Sequence, residues 1–236
     1  MTLIARLRVV ACLLPAIAIV SVSSTAHAVH KTSNVVIVGD SVANVLRWAP
    51  ESMKPLWSSQ YNAILETWGC QQLIDKGCSP TSQLSALQRI VSHRHDNIEV
   101  YVVETGYNDT GNSYLGAAIG RIAREVKSQG ATLIWLTYRE DGNVQIKNQM
   151  FNDVVRKVQK SSQMELLDWN LIARKNSHWF SPDLVHMNRF GGLQLARHIK
   201  MALDAHYGRS NGSTTTSTMV PTTTSNPTTT TMVSGQ

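Results

Sequence analysis

Four short segments carry the residue types that acyl-transfer chemistry needs: Gly39-Asp40-Ser41, Gly69, Gly106-Tyr107-Asn108-Asp109 and Asp183-Leu184-Val185-His186. A serine hydroxyl such as Ser41 is a weak nucleophile until a base takes its proton. His186 is the natural base, since an imidazole titrates near working pH. Asp183, three residues earlier, can turn back onto the ring within one tight turn, fix its tautomer and stabilise the imidazolium. The oxyanion of a tetrahedral intermediate needs donors already in place, each worth on the order of 100- to 1000-fold in rate. The backbone N–H groups of Ser41 and Gly69 and the side-chain amide of Asn108 can supply three. Ser41 is also expected to open a helix, whose unpaired N–H groups favour negative charge.

These segments must be brought together, and the pattern around them says how. Asn34 to Val38, Asn62 to Thr67, Ile98 to Glu104, Ala131 to Thr137 and Glu165 to Asp168 read as strands. They are near-continuous apolar runs, as expected of a parallel sheet buried on both faces. Between and after them, Ser82 to His93, Tyr114 to Ser128, Val144 to Lys160 and Arg189 to His206 place apolar residues at helical spacing. Strand and helix alternate, which is the mark of right-handed β-α-β units. The fold class is therefore α/β: a three-layer, doubly wound domain with a parallel sheet of about five strands. In such sheets ligands bind beyond the carboxyl ends of the strands. Each of the four segments follows a predicted strand, so all four reach one rim. A lone Gly-Asp-Ser is a weak signal; the ordered set is a strong one.

The ends read differently from the middle. Met1 to Ala28 has Arg6 and Arg8, an uncharged run from Val9 to Val20 and an Ala26-His27-Ala28 cleavage site, the layout of a secretory signal peptide. Ser210 to Gln236 holds eleven Thr, five Ser, two Pro and no charge, and reads as a disordered, mucin-like tail. The folded domain is therefore expected over residues 29–209. Its 42% hydrophobic content supports a real core, and a formal charge of +6 is too mild and too dispersed to argue for nucleic acid. With Cys12 in the leader, Cys70 and Cys78 remain as an even pair, free to bridge outside the cytoplasm. Such a bridge would stabilise by roughly 2.5 kcal/mol and would pin the loop that aims the Gly69 N–H. His93 and His95 flank Arg94 without a carboxylate or cysteine at ligand spacing, so they read as solvated residues near a helix end and no metal is expected.

The ordered motifs resemble those of the SGNH hydrolases, the GDSL-like esterase and lipase superfamily. Gly39-Asp40-Ser41 resembles the first block, Gly69 the second-block glycine, Gly106-Tyr107-Asn108-Asp109 the third block and Asp183-Leu184-Val185-His186 the fifth. The resemblance implies a flavodoxin-like fold, with Ser41, His186 and Asp183 as the triad and Asn108 as an oxyanion donor. Leu184 stands where a glycine is common, and a positive φ at that position would strain a leucine. The stretch from Asp168-Trp169-Asn170 through Trp179, Asp183 and His186 also resembles the SGNH modules of envelope acyltransferases and their free-standing secreted actinobacterial relatives. Tyr107, Tyr138, Arg139 and Trp179 are expected to line the acyl or acceptor pocket. The function expected is ester hydrolysis through an acyl-enzyme, on a short-chain or carbohydrate ester, with no cofactor and no membrane span after the leader. Two alternatives stand beside it: O-acyl transfer to an envelope polysaccharide by the same triad, and a non-catalytic envelope-binding module.

Overall fold

Five runs rich in apolar and β-branched residues become strands; the three central ones bury both faces, and the two at the sheet edges are half-exposed. They are β1 (Ser33–Gly39), β2 (Tyr61–Thr67), β3 (Val100–Glu104), β4 (Thr132–Leu136) and β5 (Glu165–Leu167). The computed structural model describes residues 32–57, 60–78 and 84–209. The expected leader and tail, and the start of the helix read from Ser82, lie outside the described residues. Val35 to Val38 and Val100 to Val103 are fully buried. Removing such side chains from water contributes about 1.5 to 3 kcal/mol each. All strand pairs are parallel, in the order β2-β1-β3-β4-β5.

Among the described residues the helices are α1 (Val45–Trp48), α2 (Ala86–Ser92), α3 (Asn112–Ser128), α4 (Gln145–Ser162), α5 (Trp169–Ala173) and α6 (Arg189–His206). Right-handed crossovers decide which face each covers. The chain moves one way from β1 to β2 and the other way from β2 through β3 and β4 to β5. That puts α2, α3 and α4 side by side on one face and leaves α1 and α6 to pair on the other. Local chemistry sets the ends of several helices. Ser85 and Gln88 form a reciprocal capping box at the start of α2. Asn188 accepts from the Gly191 N–H at the start of α6.

The strand order reverses between β1 and β3, the point where ligands bind in doubly wound sheets. Gly39 lies level with Thr67 on one side and with Glu104 on the other. The loops after β1, β2 and β3 therefore leave the sheet at the same height. One expectation is corrected here. Ser41 does not open a helix: Ser41 to Asn44 form a turn, and α1 that follows is only four residues long. The four-residue α1 therefore begins too late to lend the Ser41 amide its dipole.

Candidate active site

The loop after β1 is held by the residue beside the serine. Asp40 is fully buried and accepts N–H bonds from Val42 at 3.0 Å, Gly106 at 3.1 Å and Tyr107 at 2.9 Å. One carboxyl thus joins the Ser41 turn to the loop after β3. Burial pushes Asp40 up to about 6, against those three donors. Beside it lies Glu104, also buried, whose oxygens make no hydrogen bond of good geometry among the described residues. Burial, and then the neighbouring Asp40, push Glu104 well above the ordinary carboxyl value, with only the Ala43 amide opposing. Gly106 has φ +142°, and a Cβ there would overlap the Tyr138 hydroxyl, so only glycine lets the third loop pass over β4.

The fourth segment is a tight hairpin. Phe180 and Met187 form an isolated antiparallel bridge, and Ser181 N–H donates to the His186 carbonyl at 2.8 Å. Inside it the Asp183 Oδ1 accepts N–H bonds from Val185 and His186, each at 3.0 Å. Leu184 sits at φ +59°. A left-handed leucine costs about 1 to 2 kcal/mol, so the surroundings must hold this turn.

The outcome is a continuous relay. The His186 Nδ1–H donates to Asp183 Oδ2 at 2.7 Å, and the Ser41 hydroxyl donates to His186 Nε2 at 3.0 Å. With the proton on Nδ1, as the carboxylate requires, Nε2 is bare and faces the serine. Desolvation pushes up on the Asp183 carboxyl, but the bonds from the His186 ring and from the Val185 and His186 amides outweigh it and hold it below its ordinary value. The relay opens on a cavity of about 200 Å³, whose walls include Val42, Tyr107, Asn108, Asn143, Val144 and Val185.

The second segment reaches this region through a lattice of amides. Cys70 and Cys78 are joined in a disulfide, Cα to Cα 5.3 Å. Within the loop they close, Gln71 accepts from the Asn108 side-chain amide at 3.1 Å and Gln72 donates to the Asn108 carbonyl at 2.9 Å. The Leu73 N–H donates to Asp109. Asn108 therefore spends one N–H on Gln71 and keeps a second. At Gly69 a Cβ would meet nothing within 4 Å among the described residues, so no packing reason there requires glycine.

Of the four residues expected to line the pocket, Tyr107 does. Tyr138, Arg139 and Trp179 do not, and the expectation is corrected for them. Tyr138 is buried and its hydroxyl donates to the Thr105 carbonyl at 2.8 Å. Trp179 stacks on Trp169 at 5.9 Å. Arg139 is buried against the back of the hairpin, its guanidinium on Asp141 and the Leu184 carbonyl. Tyr138 and Arg139 do follow β4, but strand-end position does not say which way a side chain turns, and for Trp179 closeness in sequence to Asp183 does not either. His93 is corrected as well. It is mostly buried, bridging Glu66 at 3.3 Å and Asp96 at 2.7 Å. Missed altogether were the lining residues Asn143, Val144 and Val185, and Lys147 on α4, whose amine donates to the Tyr107 carbonyl. A lysine within an amphipathic helix carries no sequence signal that separates it from a solvated one.

By sequence the chain matches no family model and no curated protein. By structure it has clear neighbours. The psychrotrophic esterase EstA from a Pseudoalteromonas species, solved in a form inhibited by monoethylphosphonate, superposes with a TM-score of 0.57 at 13% identity, over 76% of this chain and 100% of that one. TesA gives 0.60 at 16% identity, over 73% and 99%. A GDSL-like lipase from Bacteroides thetaiotaomicron gives 0.54 at 13% identity, over 75% and 89%. The chain has their fold. At these identities that is what the likeness carries, and the flavodoxin-like arrangement expected from the motifs is present in full.

Proposed function

We propose that this protein is a secreted serine esterase of the SGNH type, acting on short acyl esters. The observation that carries the reading is the relay itself, serine to imidazole to carboxylate at 3.0 and 2.7 Å on the wall of a cavity. Ser41 Oγ attacks the ester carbonyl while His186 Nε2 takes its proton. The remaining Asn108 N–H, with the amides of Ser41 and Gly69, receives the oxyanion. His186 then protonates the departing alcohol, activates water and returns the proton to Ser41 as the acid leaves. No cofactor enters this scheme.

Two features support the finer parts. A cavity of about 200 Å³ is smaller than ordinary drug-sized ligand pockets, which favours a short acyl group. The side chains of Asp183 and His186 are 46% and 47% exposed, so water reaches the acyl-enzyme freely, which favours hydrolysis over transfer. Export rests on the leader and on the Cys70–Cys78 bridge. No helix among the described residues is long and apolar enough to cross a membrane. A carbohydrate alcohol, such as an acetylated envelope glycan, is the substrate suggested by the resemblance of the Asp168 to His186 stretch to envelope acyltransferase modules.

The test is hydrolysis of nitrophenyl acetate by wild type and Ser41→Ala, with product analysis in the presence and absence of a glycan acceptor. Free acetate from wild type alone supports the esterase. Acetylated glycan in place of acetate would make it a transferase. Inactivity of wild type on every short ester would favour a binding module.

A further inference from the structure

The Asp183–His186 turn contains a residue that disfavours its own conformation, and a buried arginine donates to the carbonyl of that residue. Arg139 leaves the end of β4 with its side chain 1% exposed. Its guanidinium lies 3.9 Å from the Phe180 ring, donates to the Asp141 carboxylate and donates to the Leu184 carbonyl. Its backbone is fixed on both sides: the N–H donates to the Tyr107 hydroxyl at 3.0 Å, and the carbonyl accepts from Asn148 at 2.7 Å. The arginine is thus anchored to β4, α4 and the third loop, while its tip holds the carbonyl of Leu184, the residue with the left-handed φ. Gly142 packs against the same turn one residue earlier, since a Cβ there would stand 2.6 Å from the Asp183 carbonyl.

We propose that Arg139 is a positioning residue for the catalytic turn. It locks the Leu184 carbonyl so that the left-handed turn, and with it the Asp183 carboxylate and the His186 ring, stays in register with Ser41. The task exists because this chain has leucine where glycine would take the same conformation unaided. Arg139 and Leu184 therefore form a coupled pair, in which the guanidinium supplies from outside what the residue lacks within. This inference rests on the proposed esterase reading, because its readout is turnover by the Ser41 relay.

The experiment is a double-mutant cycle on nitrophenyl acetate with Arg139→Met, Leu184→Gly and the two combined. Methionine keeps an unbranched side chain over Phe180 and removes the donors. A misplaced relay costs on the order of 100-fold, so Arg139→Met is expected to lower kcat by about that factor with KM changed less than about threefold. Leu184→Gly added to that background is expected to recover at least about tenfold of the loss, because glycine restores the turn at no steric cost. Thermal melting is followed in parallel, and Arg139→Lys, which retains the charge but gathers its donors on a single nitrogen, is expected to lie between wild type and Arg139→Met. If Arg139→Met is too unstable to assay, the comparison of Arg139→Lys with Arg139→Lys/Leu184→Gly carries the same rescue. Unchanged kcat in the arginine variants, or losses that simply add when Leu184→Gly is combined with them, would overturn the clamp. Inactive wild type would instead remove the esterase reading.

Discussion

The Asp183 carboxylate performs two tasks with two oxygens. Oδ1 shapes the turn by accepting from the Val185 and His186 amides, and Oδ2 orients the imidazole. Asp183→Asn preserves the shape but offers the ring an amide of the wrong polarity, so kcat for an activated ester is expected to fall by about 10³ to 10⁴ with little change in melting temperature. Steady-state kinetics beside a melting curve checks both. Glu104 gives a second residue-scale expectation. Its folded pKa is raised, so its favourable contribution is complete below the unfolded carboxyl value and is lost as pH rises toward the folded one. Glu104→Gln removes that dependence. Wild type is expected to lose more melting temperature than the variant between pH 5 and pH 8, and equal slopes would contradict it. At this scale the sequence singles out residues whose type implies chemistry, and the structure brings Ser41, His186 and Asp183 together. The sequence says least about Val144 and Val185, because a valine that walls a cavity and one that fills a core are the same residue.

The elements that hold these groups differ in how plainly the sequence marks them. Strands β1 and β3 were legible to within a residue or two, since an apolar run buried on both faces has no competing explanation. Helices α3 and α4 were legible from their periodicity, and α6 to the residue. The four-residue α1 and five-residue α5 were not, because neither completes two turns and no period can show. The Leu184 turn was foreseen only as a question about φ, and its answer depends on Arg139, distant in sequence. The Cys70–Cys78 loop carries a third expectation. It is bonded through Gln71, Gln72 and Leu73 to Asn108 and Asp109. Replacing both cysteines by serine is expected to cost about 2.5 kcal/mol, or about 5 to 10 °C in melting temperature, and to lower ester turnover through Asn108. Unaltered turnover in a folded variant would free the oxyanion site from the disulfide.

Across the whole molecule, topology gathers what the chain scatters. Ser41 and His186 lie 145 positions apart, yet they meet because β1 and β3 flank the reversal of strand order and α6 returns beside α1. That much followed from the alternation of strands and helices. The size of the cavity did not, since it depends on how far the hairpin and the Gly142–Val144 turn approach the sheet. A cavity this small is expected to favour nitrophenyl acetate over the octanoate by at least about tenfold in kcat/KM, roughly the effect of a methylene or two that do not fit. A flat chain-length profile would place the acyl group elsewhere.

The central claim, that Ser41 is an activated nucleophile, is tested most directly by intact and peptide-level mass spectrometry after exposure to an alkyl fluorophosphonate. A single phosphonyl adduct is expected on the Ser41 peptide of wild type, strongly slowed in His186→Ala and lost in Ser41→Ala. Wild-type protein that stays unmodified, or an adduct on another residue that persists in Ser41→Ala, would contradict it.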